Sequence, residues 1–200
     1  MAETEKHNSR KFYISDWHYG HANVVAFDDR PFKDVDEMNA ELIRRWNSVV
    51  SSGDIVYVLG DMFWCKASEA IPVLDALNGQ KFLVKGNHDR SNSSDFIRRF
   101  VKVTEYAEVQ DGSEKLILCH YPMPCFKNHQ RGTIHLYGHV HNSFEWHMME
   151  HDKYLMEELY QVPCRMFNVG AMMPWIDYTP RTLEEILTHY TGDRREADGR

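Results

Sequence analysis

The strongest constraint on this chain is a series of short polar clusters in fixed order: Asp16-Trp17-His18, Gly60-Asp61, Gly86-Asn87-His88-Asp89, His120 and Gly138-His139-Val140-His141. Each sits at the end of an apolar, β-branched run or just after it, where a buried strand would stop. Singly, each has an ordinary explanation as a turn cap or a satisfied loop residue. Together, at successive strand ends, they point to one site at one sheet edge.

The stretches between the clusters support that frame. Residues 12–15, 54–59 and 81–85 read as strands. Val35, Met38, Leu42, Trp46 and Val49 recur at three- and four-residue spacing, which predicts an amphipathic helix over 35–50. A second helix is expected over 67–78, stopped by Asn78-Gly79. This β-α-β-α-β order predicts a parallel sheet with helices on its faces. The second half is richer in strands, at 106–110, 115–119, 133–137 and 165–169, with Asp111-Gly112 as a hairpin turn. A last helix over 182–190 has Thr182 as N-cap and Glu184 and Glu185 in its first turn. Residues 142–164 have two readings: a helix packed on the core through Trp146, Met149, Leu155, Met156, Leu159 and Tyr160, or a lid, because the segment directly follows His139-Val140-His141.

At 200 residues the chain has the size of one domain, expected at 11–190 with flexible polar tails at 1–10 and 191–200. It is 42% hydrophobic and 26% charged, and no apolar stretch approaches the ~20 residues of a membrane span. The first residues lack the apolar centre of a secretory signal, so the expected location is the cytoplasm. Cys65, Cys119, Cys125 and Cys164 show no C-x-x-C pairing and read as reduced thiols, with Cys119 in the core. A formal charge of -7 argues against broad binding of long nucleic acids. A phosphate substrate stays compatible, since two bound divalent cations would reverse the sign locally.

The chemistry of the clusters suits metal ions. In a strand, residues i and i+2 face the same side, so Asp16 and His18 can reach one ion together, as can His139 and His141. Asp61, Asn87, His88 and His120 follow at the ends of other strands, where open α/β sheets bind ligands. Imidazole, carboxylate and amide oxygen without cysteine favour Mn²⁺, Fe or Zn²⁺ over Ca²⁺ or a thiolate zinc site. We expect two divalent transition metal ions, Mn²⁺ first, with Fe, Zn²⁺, Ni²⁺ or Co²⁺ as alternatives. Two such ions, two aspartates and a bridging hydroxide would leave about one positive charge, which attracts an anion.

The series D-x-H, G-D, G-N-H-D, H and G-H-x-H resembles the calcineurin-like metallophosphoesterase superfamily across residues 12–186. The S-D-W-H-Y-G-H-x-N opening, Arg30-Pro31-Phe32 and Phe167-Asn168-Val169-Gly170 resemble a group of small bacterial and phage phosphoesterases. The resemblance implies an α/β fold, a four-layer α-β-β-α sandwich of two mixed β-sheets flanked by helices. It implies Asp16, His18 and His141 on the first metal, Asn87, His120 and His139 on the second, and Asp61 bridging both. His88 would protonate the leaving oxygen, with Asp89 orienting its ring. The activity implied is hydrolysis of a phosphomonoester or phosphodiester by a metal-bridging hydroxide, on a nucleotide, a related small molecule or a short nucleic acid end. A catalytically weak phosphate-binding or scaffold protein on the same fold is the alternative; its mark would be a lost ligand or a lost G-N-H histidine, and neither is missing.

Substrate contacts are expected from Asn87, Arg30, Arg90, His21 and Tyr121. Arg30 and Arg90 match phosphate geometry but could equally be surface arginines. His21 either lines the pocket or caps the helix-like segment 22–27. Tyr121, like Trp17 and Tyr19, either stacks on a flat leaving group or walls the site. His129, His135, His147, His151 and His189 read as surface or strand residues.

Overall fold

The computed structural model describes residues 9–91 and 93–190. In chain order it contains β1 (Lys11–Ile14), α1 (Ala22–Phe27), α2 (Val35–Val49), β2 (Ile55–Val58), α3 (Ala67–Ala76), β3 (Gln80–Val84), α4 (Ser94–Ile97), β4 (Lys102–Thr104), β5 (Ala107–Asp111) and β6 (Glu114–Leu118). Then follow β7 (Ile134–Tyr137), α5 (Phe144–Tyr154), β8 (Met166–Asn168), β9 (Arg181–Thr182) and α6 (Leu183–His189).

The strands make two mixed sheets flanked by helices. One has the order β4-β3-β2-β1-β9, and the other β5-β6-β7-β8. Strands β1 to β4 run parallel, and β9 closes the edge antiparallel to β1. In the second sheet only β5 and β6 form a hairpin; β6, β7 and β8 run parallel. The second half therefore contains fewer hairpins than its strand-rich sequence suggests. The reason is connection length: the segment after β6 and the α5 crossover return the chain to the same end before each new strand.

Elements form where apolar spacing and caps agree. Helix α2 buries Met38, Leu42 and Trp46, and the Asp34 side chain accepts the Glu37 N–H at 2.9 Å at its start. Helix α6 begins with a capping box in which Thr182 and Glu185 satisfy each other's backbone N–H. Strands β4 and β9 have two or three residues and no fully buried face, too little for a periodic signal. Arg10, placed in the flexible tail by sequence, is tied to Asp54 through both backbone N–H and guanidinium, each at 3.0 Å. The rest of that expectation concerns 1–8 and 191–200, which lie outside the described residues.

Helix α5 docks through Trp146, Glu150 and Lys153, with Met149 and Met156 packed against the core. Leu159 and Tyr160, expected on the same face, are exposed instead. The chain widens into a π turn over Leu155–Leu159, and the extra residue per turn rotates the apolar stripe out of register. No helix among the described residues is long and apolar enough to cross a membrane.

Where the two sheets meet, Ser15 N–H donates to Val169 O at 2.8 Å and Ala171 N–H returns to Ser15 O at 2.8 Å. This junction sets the carboxyl ends of β1, β2 and β3 beside those of β6, β7 and β8.

Candidate metal centre

The candidate ligands lie past the strand ends, not within the strands. Strand β1 stops at Ile14, before Asp16; β6 stops at Leu118, before His120; β7 stops at Tyr137, before His139. Asp16, His18, Asp61, His139 and His141 have φ of 53°, 51°, 52°, 72° and 49°. They are five of the ten non-glycine residues with positive φ among the described residues. Left-handed backbone at a non-glycine residue costs on the order of 1–3 kcal/mol, and such residues concentrate where function holds them. This corrects the alternation argument: Asp16 and His18, or His139 and His141, converge through left-handed turns, not through strand pleat. The turns are held by Asp16 N–H to Gly60 O at 3.1 Å and His18 N–H to Asp61 O at 3.0 Å. Gly138 is needed for the close approach, because a Cβ there would run into Ser15 Oγ and Asp16 Oδ2.

Asp61 Oδ2 stands among three imidazoles, 4.0 Å from His18 Nε2, 3.9 Å from His88 Nε2 and 3.6 Å from His120 Nε2. Its other oxygen accepts the His88 N–H at 2.9 Å. On one side, His18 Nε2 and His141 Nε2 are 3.1 Å apart, with Asp16 Oδ1 3.6 Å from the latter. On the other, His120 Nε2 is 3.2 Å from Asn87 Oδ1, and the His139 ring lies 5.0 Å from that of His120. Asp16, His18 and His141 form one compact donor group, and Asp16, Asp61 and His120 another. Asp16 and His120 are fully buried beneath a cleft of about 510 Å³ lined by His18, Asp61, Asn87, His88, His139 and His141, among others.

The donor set fits divalent cations. His120 Nδ1 lies 2.7 Å from Leu59 O, and His141 Nδ1 lies 2.7 Å from Asp28 Oδ1. Assigning Nδ1–H as the donor in each turns the Nε2 of both rings into the cluster, the arrangement that outer partners impose on metal-binding histidines. Burial, reinforced by His141, holds the His18 imidazole down to about 2, so its ring stays neutral. Burial opposes charge on His141, but the hydrogen bond to Asp28 and the carboxylates of Asp16 and Asp28 outweigh it and move His141 upward. His139 is moved downward by burial and by His120.

Other expected site residues behave differently. Arg30 is 3% exposed and fully engaged, donating to Asp28 Oδ2, Trp17 O and Asp16 O. It is not an open phosphate clamp; it supports the first ligand loop and the carboxylate behind His141. Asp89 does not meet the His88 ring. Its carboxylate accepts the N–H groups of Asp61 at 2.7 Å, Gly86 at 2.9 Å and Met62 at 3.1 Å, which clamps two ligand loops together. His21 Nδ1 caps α1 by accepting the Val24 N–H at 2.8 Å, and the same ring borders the cleft. Arg90 is exposed in a neighbouring recess, and Tyr121 lies at the rim with its ring 4.6 Å from that of His139.

One further correction concerns a residue near the site. Cys119 is half-buried, not core, with its thiol moved upward by burial. His135 is a strand residue, as expected, and lies fully buried in β7. Asp28 and Trp64 are cleft residues that the sequence reading missed. Asp28 meets His141 across 113 positions, which leaves no local signal. Trp64 follows the Gly60-Asp61 motif in the same loop, and that proximity could have marked it.

Residues 11–189 match the model of the calcineurin-like phosphoesterase superfamily domain. The chain is 41% identical over 181 residues to uncharacterized protein MJ1445 of Methanocaldococcus jannaschii, covering 89% of this chain and 90% of that protein. It is 28% identical over 164 residues to the Gene 66 protein of Mycobacterium phage D29, covering 67% and 79%. A protein of unknown function, AQ665 from Aquifex aeolicus, shares the fold with a TM-score of 0.68 at 23% identity, over 90% of this chain and 99% of that one. The matched span and the relative's identity together establish that this chain belongs to the calcineurin-like phosphoesterase superfamily.

Proposed function

We propose that this protein is a metal-dependent phosphoesterase that hydrolyses a phosphomonoester or phosphodiester of a nucleotide or related small molecule. Two divalent cations would be held by Asp16, His18 and His141 on one side and by Asn87, His120 and His139 on the other, with Asp61 between them. The observation that carries this reading is the place of Asp61 Oδ2, within 4.0 Å of Nε2 atoms from three different loops. Bound there, the cations would polarise the phosphoryl oxygens and lower the pKa of a water. Asp28 and Leu59 O hold the His141 and His120 rings with Nε2 inward, and Asp89 keeps the Asp61 and Gly86 loops at fixed separation. His88, with its side chain 31% exposed at the cleft edge, would hold a proton at the leaving oxygen.

The test is a metal-by-substrate panel on the purified protein. Mn²⁺, Fe²⁺, Zn²⁺, Ni²⁺ and Co²⁺ are each tried with bis-p-nitrophenyl phosphate, p-nitrophenyl phosphate and nucleotides. Metal-dependent turnover that a chelator abolishes is the expected result. Binding of phosphate ligands with no turnover under any metal would establish the scaffold alternative instead.

A further inference from the structure

A second recess opens on the His88 side of the metal centre. Tyr19, Asn39, Phe63, Trp64, His88 and Arg90 are among the residues lining this trough of about 880 Å³. That volume falls within the roughly 300–1,000 Å³ usual for small-ligand sites. Trp64 and His88 line both recesses, so the trough adjoins the cleft at the residue assigned to the leaving oxygen.

Trp64 is the ridge between the two. Its side chain is outside the apolar core and 44% exposed, while its backbone is fixed by Trp64 N–H to Tyr19 O at 2.8 Å. The indole is 4.0 Å from the His21 ring and 4.4 Å from the His88 ring, centroid to centroid. A large aromatic flanked by two imidazole rings at the candidate centre, yet left half in water, has a face to offer a flat ligand. The trough's charges balance, Lys66 and Arg90 against Asp36 and Glu69, which suits a neutral group better than a second phosphate. Its walls also carry amide and carboxylate groups, which a plain hydrocarbon chain would bury without partners. A nucleobase supplies both a stacking face and hydrogen-bonding edges.

We propose that this trough is the leaving-group subsite and takes a nucleoside, with its base against Trp64 and its ester oxygen toward His88. Trp64 is then a specificity-determining residue, and the substrate is a nucleotidyl ester. This inference rests on the phosphoesterase reading above, and its test separates the two.

The metal-loaded protein is assayed on the dinucleotide dTpdT and on its analogue with an abasic leaving residue. Wild-type kcat/KM should favour dTpdT by about 5- to 150-fold, the worth of one base–aromatic stack. Trp64→Ala should reduce that ratio to near one, and Trp64→Phe should retain part of it. A ratio near one in the wild type, or equal losses on both substrates in Trp64→Ala, overturns the subsite. Calorimetric Kd values for thymidine 5′-monophosphate and 2-deoxyribose 5-phosphate judge it without turnover. The nucleotide should bind tighter by a similar factor in the wild type only, and equal Kd values overturn the proposal. Failure to hydrolyse any ester, with that Kd ratio present, defeats the phosphoesterase reading and not the subsite.

Discussion

Asp61 meets the rings of His18, His88 and His120 through one oxygen and the His88 backbone through the other, so removing its charge should be felt at both proposed metal positions. Asp61→Asn keeps the shape and loses the charge that would offset the two proposed cations, which in two-metal sites stand about 3.5–4 Å apart. We expect it to lose most of the bound metal and the activity with it; elemental analysis showing two equivalents and near-normal turnover would sink the bridging role. His88 has a different signature, because its proposed work is on a proton and not on a metal. His88→Asn should retain metal while slowing turnover by about 10²- to 10⁴-fold, the range for a lost general acid. The loss should shrink on a nitrophenyl ester, whose leaving group needs no proton. Equal impairment on nitrophenyl and ribose esters would point to another role.

Among elements, the short strands act as posts and the turns after them carry the candidate ligands. Helix α5 tests whether the segment following His141 is docked or free. Its indole at Trp146 is buried with the ring 5.8 Å from that of Trp175, and Lys153 donates to Met166 O in β8 at 3.2 Å. Contacts of this kind belong to a packed helix. Trp146→Ala should therefore destabilise the fold by about 3–5 kcal/mol, the usual cost of emptying a large aromatic site. The ratio of kcat/KM between a large and a small ester should not move. Calorimetric melting together with that ratio checks the point; a stable variant with altered substrate preference would restore the lid.

For the molecule as a whole, stability should depend on pH in part through a buried histidine that no metal-ligand motif includes. His135 is fully buried in β7, with Nδ1 3.1 Å from Ile117 O and Nε2 3.2 Å from Met123 N. Burial pushes it down to about 4, from an ordinary value of 6.5. Below pH 6.5 the unfolded chain takes up this proton and the native one does not, so stability is fully present above 6.5 and falls as pH drops toward 4. The full difference is on the order of 3 kcal/mol. Denaturant midpoints at pH 7.5 and pH 5, measured in chelator so that metal release is not counted, should fall together with pH. His135→Gln should make the dependence shallower, and an unchanged slope in that variant would remove His135 as a contributor.

Local residues by themselves determined the elements that rest on local physics. The Met38, Leu42 and Trp46 stripe and the Thr182–Glu185 box are complete within a few residues, so α2 and α6 appear where their spacing places them. The ordered D-x-H, G-D, G-N-H-D, H and G-H-x-H series likewise marked the loops that gather at one edge, because each lies where an apolar run ends. Only the tertiary structure decided how those loops turn and what stands behind them. Left-handed backbone at Asp16, His18, Asp61, His139 and His141 is unfavourable in isolation and persists because distant loops hydrogen-bond to it. The same holds for Arg30 and Asp89, whose charges face inward to the backbone of Asp16 and Asp61, 14 and 28 positions away, and for Asp28, which reaches His141 only after both sheets have met at Ser15 and Gly170.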